Sequence, residues 1–275
     1  CEALLSSVTG SEDTVLTSSG FSAGQMAVGR KPVINAPGSH PAILKERSGH
    51  PSFADWAEWV VAGVNNGRFS GPVATDSLSP LSATLNHFGF LTGIQKDLDV
   101  IVDDSHGIGI IGDGKGISAL VPRSGHLNYT FTYSLSKAFG IPGGAVSCSA
   151  EEGARLRGLA AYTAVTPQSP GLLYAFTKGQ PVYSRQLAKL RGNIAQFSEA
   201  VADLPGISGH PELPVFILNQ DYREEDLYEH GIIISSFAYP DPNGTRLNRI
   251  VLNALHSGTD LERLSDALHL ISRQK

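Results

Sequence analysis

Two cysteines in 275 residues, Cys1 and Cys148, cannot build a disulfide framework. A reducing compartment is the simplest setting for them, and a cytoplasmic location is expected. No apolar run approaches the roughly 18 residues that a membrane span requires, so no membrane partner is expected. No charged-then-apolar leader is visible. The chain opens without methionine on "CEALLSSVTG", a helical pattern, so further residues are expected ahead of Cys1. Basic residues form no block and do not interleave with aromatics, so nucleic acid is not an expected partner. Internal repeats and low-complexity segments are missing too. So are HExxH, CxxC and a complete Walker loop.

What remains is ordinary globular material: 41% hydrophobic residues, 17% charged and a net charge of −5. That suffices for one large domain or two modest ones. Short apolar strands alternate with helical patterns over the first part. Strands are read at 14–19, within 31–40, and at 71–78, 99–104, 129–136 and 143–149. Helices are read from 21, at 40–49, 54–64, 81–95 and 151–162. Alternation of this kind predicts an α/β fold with a mainly parallel sheet. "DVIVDD" (99–104) is apolar without alternation, as in a sheet covered on both faces. Beyond 166–171 the texture changes to a long helical region, 171–203. Strands follow at 213–219, 231–237 and 249–255. A last helix, 259–272, has Thr259 or Asp260 as its expected N-cap. The expected division is a large domain, 1–168, and a smaller C-terminal α+β domain, 169–275.

Chemistry concentrates in two stretches. In "VIVDDSHGIGIIGDGKGI" (100–117) a buried strand ends in Asp103 and Asp104, with His106 three residues after Asp103 and five glycines behind it. Three readings compete. Metal ligation needs further ligands, because adjacent strand residues point to opposite faces and Asp103 and Asp104 do not converge. A phosphate loop at "GDGKG" (112–116) lacks the Ser or Thr that follows the lysine of a Walker motif. The third reading brings in "TYSLSKAFGIPGGAV" (132–146). Lys137 follows a strand there, flanked by Ser134 and Ser136, and the Gly143–Gly144 pair permits close backbone approach. Lys137 and Asp103 both end strands of one predicted sheet, and ligands of open α/β sheets bind at that edge. A lysine on its own is more often a solvated surface group. Together with a strand-end aspartate it suits pyridoxal phosphate, with a Schiff base to the lysine and the carboxylate on the pyridine nitrogen. Opposite charges about 4 Å apart attract by about 4 kcal/mol at an effective dielectric of about 20. That keeps a pyridinium charged near neutral pH. Asp104 faces the other way and is expected to be structural.

"VDDSHGIGIIG" and "YSLSKAFGIPGGAVSCS" resemble the two signature segments of the class I/II aminotransferase superfamily of fold type I, in its α-oxoamine synthase branch. The acid and the lysine are 137 − 103 = 34 residues apart. The resemblance runs through nearly the whole chain, strongly at 99–149 and weakly after 170. It implies pyridoxal 5'-phosphate as cofactor and an amino acid as substrate, with acyl-CoA as the second. It also implies a homodimer with the site at the interface. Lys137 would be the Schiff-base lysine, Asp103 the partner of the pyridine nitrogen and His106 the neighbour of the phenolic oxygen. Ser134 falls where the family binds phosphate. "SSGFSAG" (18–24) resembles its phosphate-binding helix start, which assigns Ser19, Gly20 and Phe21. His40 matches the ring-stacking histidine. Ser77 and Ser79 are both candidates in "VATDSLSPL". Thr163 is the candidate that reaches the neighbouring subunit's phosphate. The implied activity is condensation of an amino acid with acyl-CoA. The alternatives are an aminotransferase, or an inactive relative serving as a binding or regulatory subunit. One position departs from the pattern. Where the family holds the substrate carboxylate with arginine, near Ala238, this chain has none, although Arg246 and Arg249 are close in sequence.

Overall fold

In the computed structural model, residues 1–29, 32–79, 81–238 and 241–274 are described. Lys31, Pro80, Tyr239 and Pro240, which belong to stretches read above, lie outside them. The chain divides into two units: residues 1–78 with 86–181, and residues 79–85 with 182–275.

The first unit begins with α1 (Glu2–Thr9), β1 (Asp13–Thr17), α2 (Gly20–Val28), β2 (Ile34–Asn35), α3 (Phe53–Asn65) and β3 (Val73–Asp76). Residues 79–85, assigned to the second unit, carry most of a short two-stranded sheet, β4 (Leu78–Ser79) and β5 (Thr84–Leu85). Next come β6 (Leu98–Asp103), β7 (Leu127–Ser134), β8 (Gly144–Cys148), α4 (Ala150–Arg157), α5 (Ala160–Thr163) and α6 (Pro170–Lys178). The main sheet has the order β1-β8-β7-β6-β3-β2. The pairs β2–β3, β3–β6 and β6–β7 are parallel, and β8 runs antiparallel to both its neighbours. The expected α/β class is therefore the class found. All five residues of β8 are buried and five of six in β6, the mark of a sheet covered on both faces.

Helix α2 forms because Ser19 caps it, its hydroxyl accepting the Ser22 N–H at 3.0 Å. Its small buried residues, among them Ala23, Gly24 and Ala27, let it lie close to neighbouring backbone. A Cβ on Gly24 would stand 2.8 Å from Ala42 Cβ. With Val15, Ile101, Val146 and Leu156 these residues make one buried apolar cluster. Burial of each large apolar side chain there contributes about 1.5–3 kcal/mol.

Two segments expected as helices are not. Residues 40–49 form turns and irregular chain. The buried Asn35 amide captures their backbone: its Nδ2 donates to Ile43 O at 3.0 Å, and its Oδ1 accepts Lys45 N–H at 2.8 Å. Residues 81–95 split into β5 and a short 3-10 helix, Phe88–Gly93. Ala83 adopts φ 51, and Asn86 donates its backbone N–H to Ser77 O and its side chain to Asp76 O. The apolar pattern that suggested one long helix is spent on an aromatic cluster of Phe53, Trp56, Phe88 and Phe90. Residues 151–162 also hold a break, between α4 and α5.

The second unit carries α7 (Gln180–Ala200) past its first residues, then β9 (Ile207–Gly209), β10 (Val215–Leu218), α8 (Glu224–Glu229), β11 (Ser235–Ala238), β12 (Arg246–Val251) and α9 (Gly258–Arg273). Its antiparallel sheet has the order β11-β12-β10-β9. Phe197 of α7 meets Phe216 of β10 edge-on, ring centres 4.8 Å apart. Asn193 ties α7 to the loop before α9 through Asn253 O and His256 O. The cap of α9 is Ser257, not Thr259 or Asp260. Asp260 instead closes a capping box, accepting the Ser257 N–H at 2.7 Å.

Candidate functional site

Parallel strands present their carboxyl ends at one edge of the sheet. There β3 delivers Asp76, β6 Asp103 and β7 Ser134, with Asp76 and Asp103 in register across the ladder. Strand β1 points the same way, so the start of α2 reaches this edge as well. A Cβ on Gly20 would sit 2.6 Å from Ser134 Cβ, and one on Gly144 would strike Ser19 O. Glycine at both positions brings the helix start directly onto the strand ends. The first N–H groups of α2, at Gly20 and Phe21, have no acceptor within the helix. They face the edge together with the Ser19, Ser134 and Ser136 hydroxyls, the last two 2.8 Å apart. Dipole and donors combine there into a place for a phosphate. Phe21 itself is 54% exposed.

Asp103 is buried and fixed by an Asx turn, Ser105 N–H donating to its Oδ1 at 3.0 Å. Ser105 also holds β7, its hydroxyl accepting the Ser134 N–H at 3.0 Å. One short serine therefore sets the spacing between the acid and the phosphate side. Lys137 lies on the loop after β7, which is closed where Leu135 N–H donates to Gly143 O at 3.0 Å. Its Nζ is 2.8 Å from His106 Nε2. His106 comes from the turn after Asp103, so residues 31 apart in sequence meet at the edge.

His40 belongs to the same electrostatic group. Burial of its ring lowers its pKa first, the Asp103 carboxylate opposes that, and the Lys137 ammonium adds to the lowering. Ala42 N–H donates to His40 Nδ1 at 3.1 Å, so the proton of the neutral ring sits on Nε2. Asp76 completes the group, and nothing in the sequence analysis singled it out. The signal was present, since "VATD" ends a strand in an acid just as "VIVD" does. Burial pushes Asp76 up to about 8, and the nearby Asp103 carboxylate pushes the same way.

The other sequence candidates fall elsewhere. Ser77 is fully buried and lies on the Asp104 side of the strands. Ser79 belongs to the second unit. Thr163 ends α5 and, with Ser18, Tyr162 and Gln168, lines a cavity of about 880 Å³ on the first unit. Asp104 does the work expected of a structural residue. Its Oδ2 accepts the Ile117 N–H at 2.9 Å. Cβ atoms on Gly107 and Gly116 would land on its two carboxylate oxygens. Two of the five glycines thus make room for a buried carboxyl, and burial pushes that carboxyl up to about 7. Among the described residues no three His, Cys, Asp or Glu side chains gather as metal ligands would, and no helix is long and apolar enough to cross a membrane.

Comparison with known proteins agrees with this geometry. The 8-amino-7-oxononanoate synthase of Petrotoga mobilis is 26% identical over 289 residues, covering 91% of this chain and 71% of the relative. That of Vibrio cholerae is 32% identical over 191 residues, covering 64% of this chain and 48% of the relative. Among solved structures, the Francisella tularensis 8-amino-7-oxononanoate synthase matches 99% of this chain and 85% of its own, with a TM-score of 0.77 at 22% identity. Sphingomonas wittichii serine palmitoyltransferase matches all of this chain and 75% of its own, with a TM-score of 0.76 at 17% identity. These two establish the fold. The family model for aminotransferase class I and II matches residues 91–268, which include Asp103, His106, Ser134 and Lys137. The chain belongs to the aminotransferase class I and II family.

Proposed function

We propose that this chain is a pyridoxal-phosphate-dependent transferase that condenses an amino acid with an acyl-CoA. The observation that carries it is the meeting of Lys137, His106 and Asp103 at the edge where α2 begins. The residues fit the cofactor on chemical grounds. The α2 start and the Ser19, Ser134 and Ser136 hydroxyls suit its phosphate, and the glycine contacts leave backbone N–H groups accessible there. A fixed carboxylate suits a protonated ring nitrogen, and a lysine near that carboxylate suits an aldehyde. When bound, the cofactor supplies an electron sink for charge developing on the substrate's α-carbon.

The chain's own groups do the rest. Asp103, oriented by the Ser105 N–H, keeps the ring nitrogen protonated. His106 stands beside Lys137 Nζ and orients it. Lys137, as a free amine beside the substrate, would take the α-proton as general base. His40, held neutral by burial, covers the site without adding charge. Thr163 serves the site of a second copy, and Ser77 and Ser79 are the two serine candidates for the cofactor. A cytoplasmic homodimer is the assembly we propose.

The choice of acyl transfer rests on the names of the relatives, serine palmitoyltransferase and 8-amino-7-oxononanoate synthase. Transamination is the second reading, and Ala238 weakens the first by standing where the resemblance places the arginine that holds the substrate carboxylate. Arg246 is its partner across the β11–β12 ladder and is engaged by Glu224 and by Ser236. The test is incubation of the purified protein and pyridoxal phosphate with the twenty amino acids, paired with acyl-CoAs or with 2-oxoacids. Release of free CoA thiol supports condensation. Formation of a new amino acid without thiol release replaces it with transamination.

A further inference from the structure

The carboxyl edge holds a second acid that the proposed mechanism leaves without a task. Asp76 ends β3 in register with Asp103, so both side chains leave the sheet on one face. Its Oδ2 accepts the backbone N–H of His40 at 2.9 Å. Its own carbonyl is held by Asn86 Nδ2 at 2.8 Å, which anchors the acid at the strand end. His40 lies in an irregular segment that no helix or strand fixes. His40 is held by the Asp76 tether on its N–H, by the Ala42 N–H on its Nδ1, and by the Ile43 and Leu44 N–H groups on its carbonyl.

From this geometry we infer that Asp76 is a positioning residue of the cofactor site, which holds the His40 loop over the ring position through the His40 backbone N–H. The inference deepens the pyridoxal-phosphate reading and rests on it. Two carboxyls on adjacent strand ends do not both ionise readily. The groups facing Asp76 are Asp103 from β6, Lys137 from the loop after β7, and the His40 segment. Burial pushes the Asp76 carboxyl up to about 8, and the Asp103 carboxylate pushes the same way. Removing the acceptor should loosen His40 and weaken cofactor binding. Replacing the carboxyl while keeping an acceptor oxygen should not.

The experiment uses three variants and two readouts. The first readout is the affinity for pyridoxal phosphate by absorbance titration. The second is amide hydrogen exchange of His40 in cofactor-free protein. Asp76→Ala should bind cofactor about ten-fold more weakly and lose protection at the His40 N–H, a loss the size of one buried hydrogen bond. Asp76→Asn, which keeps an acceptor oxygen, should stay within about three-fold of the parent and keep that protection. His40→Ala should weaken binding, and adding Asp76→Ala to it should weaken it no further, because Asp76 acts through His40. Should Asp76→Ala fail to fold, Asp76→Ser, too short to reach the His40 N–H, replaces it. Parental affinity in Asp76→Ala, full additivity with His40→Ala, or equal losses in Asp76→Asn and Asp76→Ala would overturn the inference. Parental protein that binds no pyridoxal phosphate contradicts the function proposed above. The His40 exchange measurement still decides the tether in that case.

Discussion

Asp103 and Asp104 are neighbours in sequence and end the same strand, yet they serve opposite regions. Asp103 opens onto the front of the sheet edge with Asp76, His40, His106 and Lys137. Asp104 turns to the back, where Ile117 N–H, the Ser77 hydroxyl and two close-approaching glycines enclose it. The front is a set of titratable groups gathered from four strand ends, with Lys137 Nζ 2.8 Å from His106 Nε2. The back is one carboxyl closed in by its own loop. The pleat alone makes this difference, because successive residues of a strand face opposite ways. A pair of acids in a strand-end motif is therefore two assignments, one for chemistry and one for architecture.

Mutations separate the two regions, because front changes should strike activity and back changes stability. The largest effect is expected at the front. Lys137→Ala should lower turnover by about three orders of magnitude or more, measured as CoA thiol release, with little change in melting temperature. Asp103→Asn should cost about two orders of magnitude by the same assay, since it removes the charge that serves the ring nitrogen. At the back, Gly116→Ala should destabilise the fold by about 2 kcal/mol in urea titration. Its φ of +75° disfavours a side chain, and the added Cβ would meet Asp104. The folded fraction should keep its cofactor affinity.

Asp104 itself should shape the pH dependence of stability. It loses its proton near 3.8 when unfolded and near 7 when folded. Between those values folding takes up a proton, so this group's contribution falls as pH rises from about 4 to about 7 and is level above that. Asp104→Asn should therefore flatten the urea midpoint against pH, removing up to about 1.4 kcal/mol per pH unit of slope. An unchanged slope in this variant would move the titration to another group. The smallest effect lies far from both regions. Ser257→Ala should cost about 1 kcal/mol, the value of the α9 cap, and leave cofactor affinity untouched.

The contrast also explains what was legible in the sequence. Strand β6 was readable because burial on both faces writes itself as an apolar run, Val100 to Val102. Strand β7 was readable from its alternation of threonine with aromatic residues. Asp103 was readable because it ends the first, and Lys137 because it follows the second. The segment 40–49 was not, because its conformation is set by a side chain from elsewhere, the Asn35 amide. Segment 81–95 was misread for a related reason. Its apolar residues recur as they would on a helix, but Asn86 and the φ of Ala83 turn the chain before a helix can propagate. Asp76 went unnoticed because its importance comes from register with Asp103 and from a bond to His40, both set by tertiary pairing. The sequence showed five glycines after His106 without their purpose, and only the packing revealed that Gly107 and Gly116 admit Asp104.

The most direct test of the front region is spectroscopic. Purified protein is titrated with pyridoxal phosphate, reduced with borohydride and digested, and the modified peptide is located by mass. A visible absorbance band that borohydride abolishes, with the cofactor fixed on Lys137 and no fixation in Lys137→Ala, is the predicted result. A colourless protein, or cofactor fixed on other lysines to the same extent in Lys137→Ala, would contradict it.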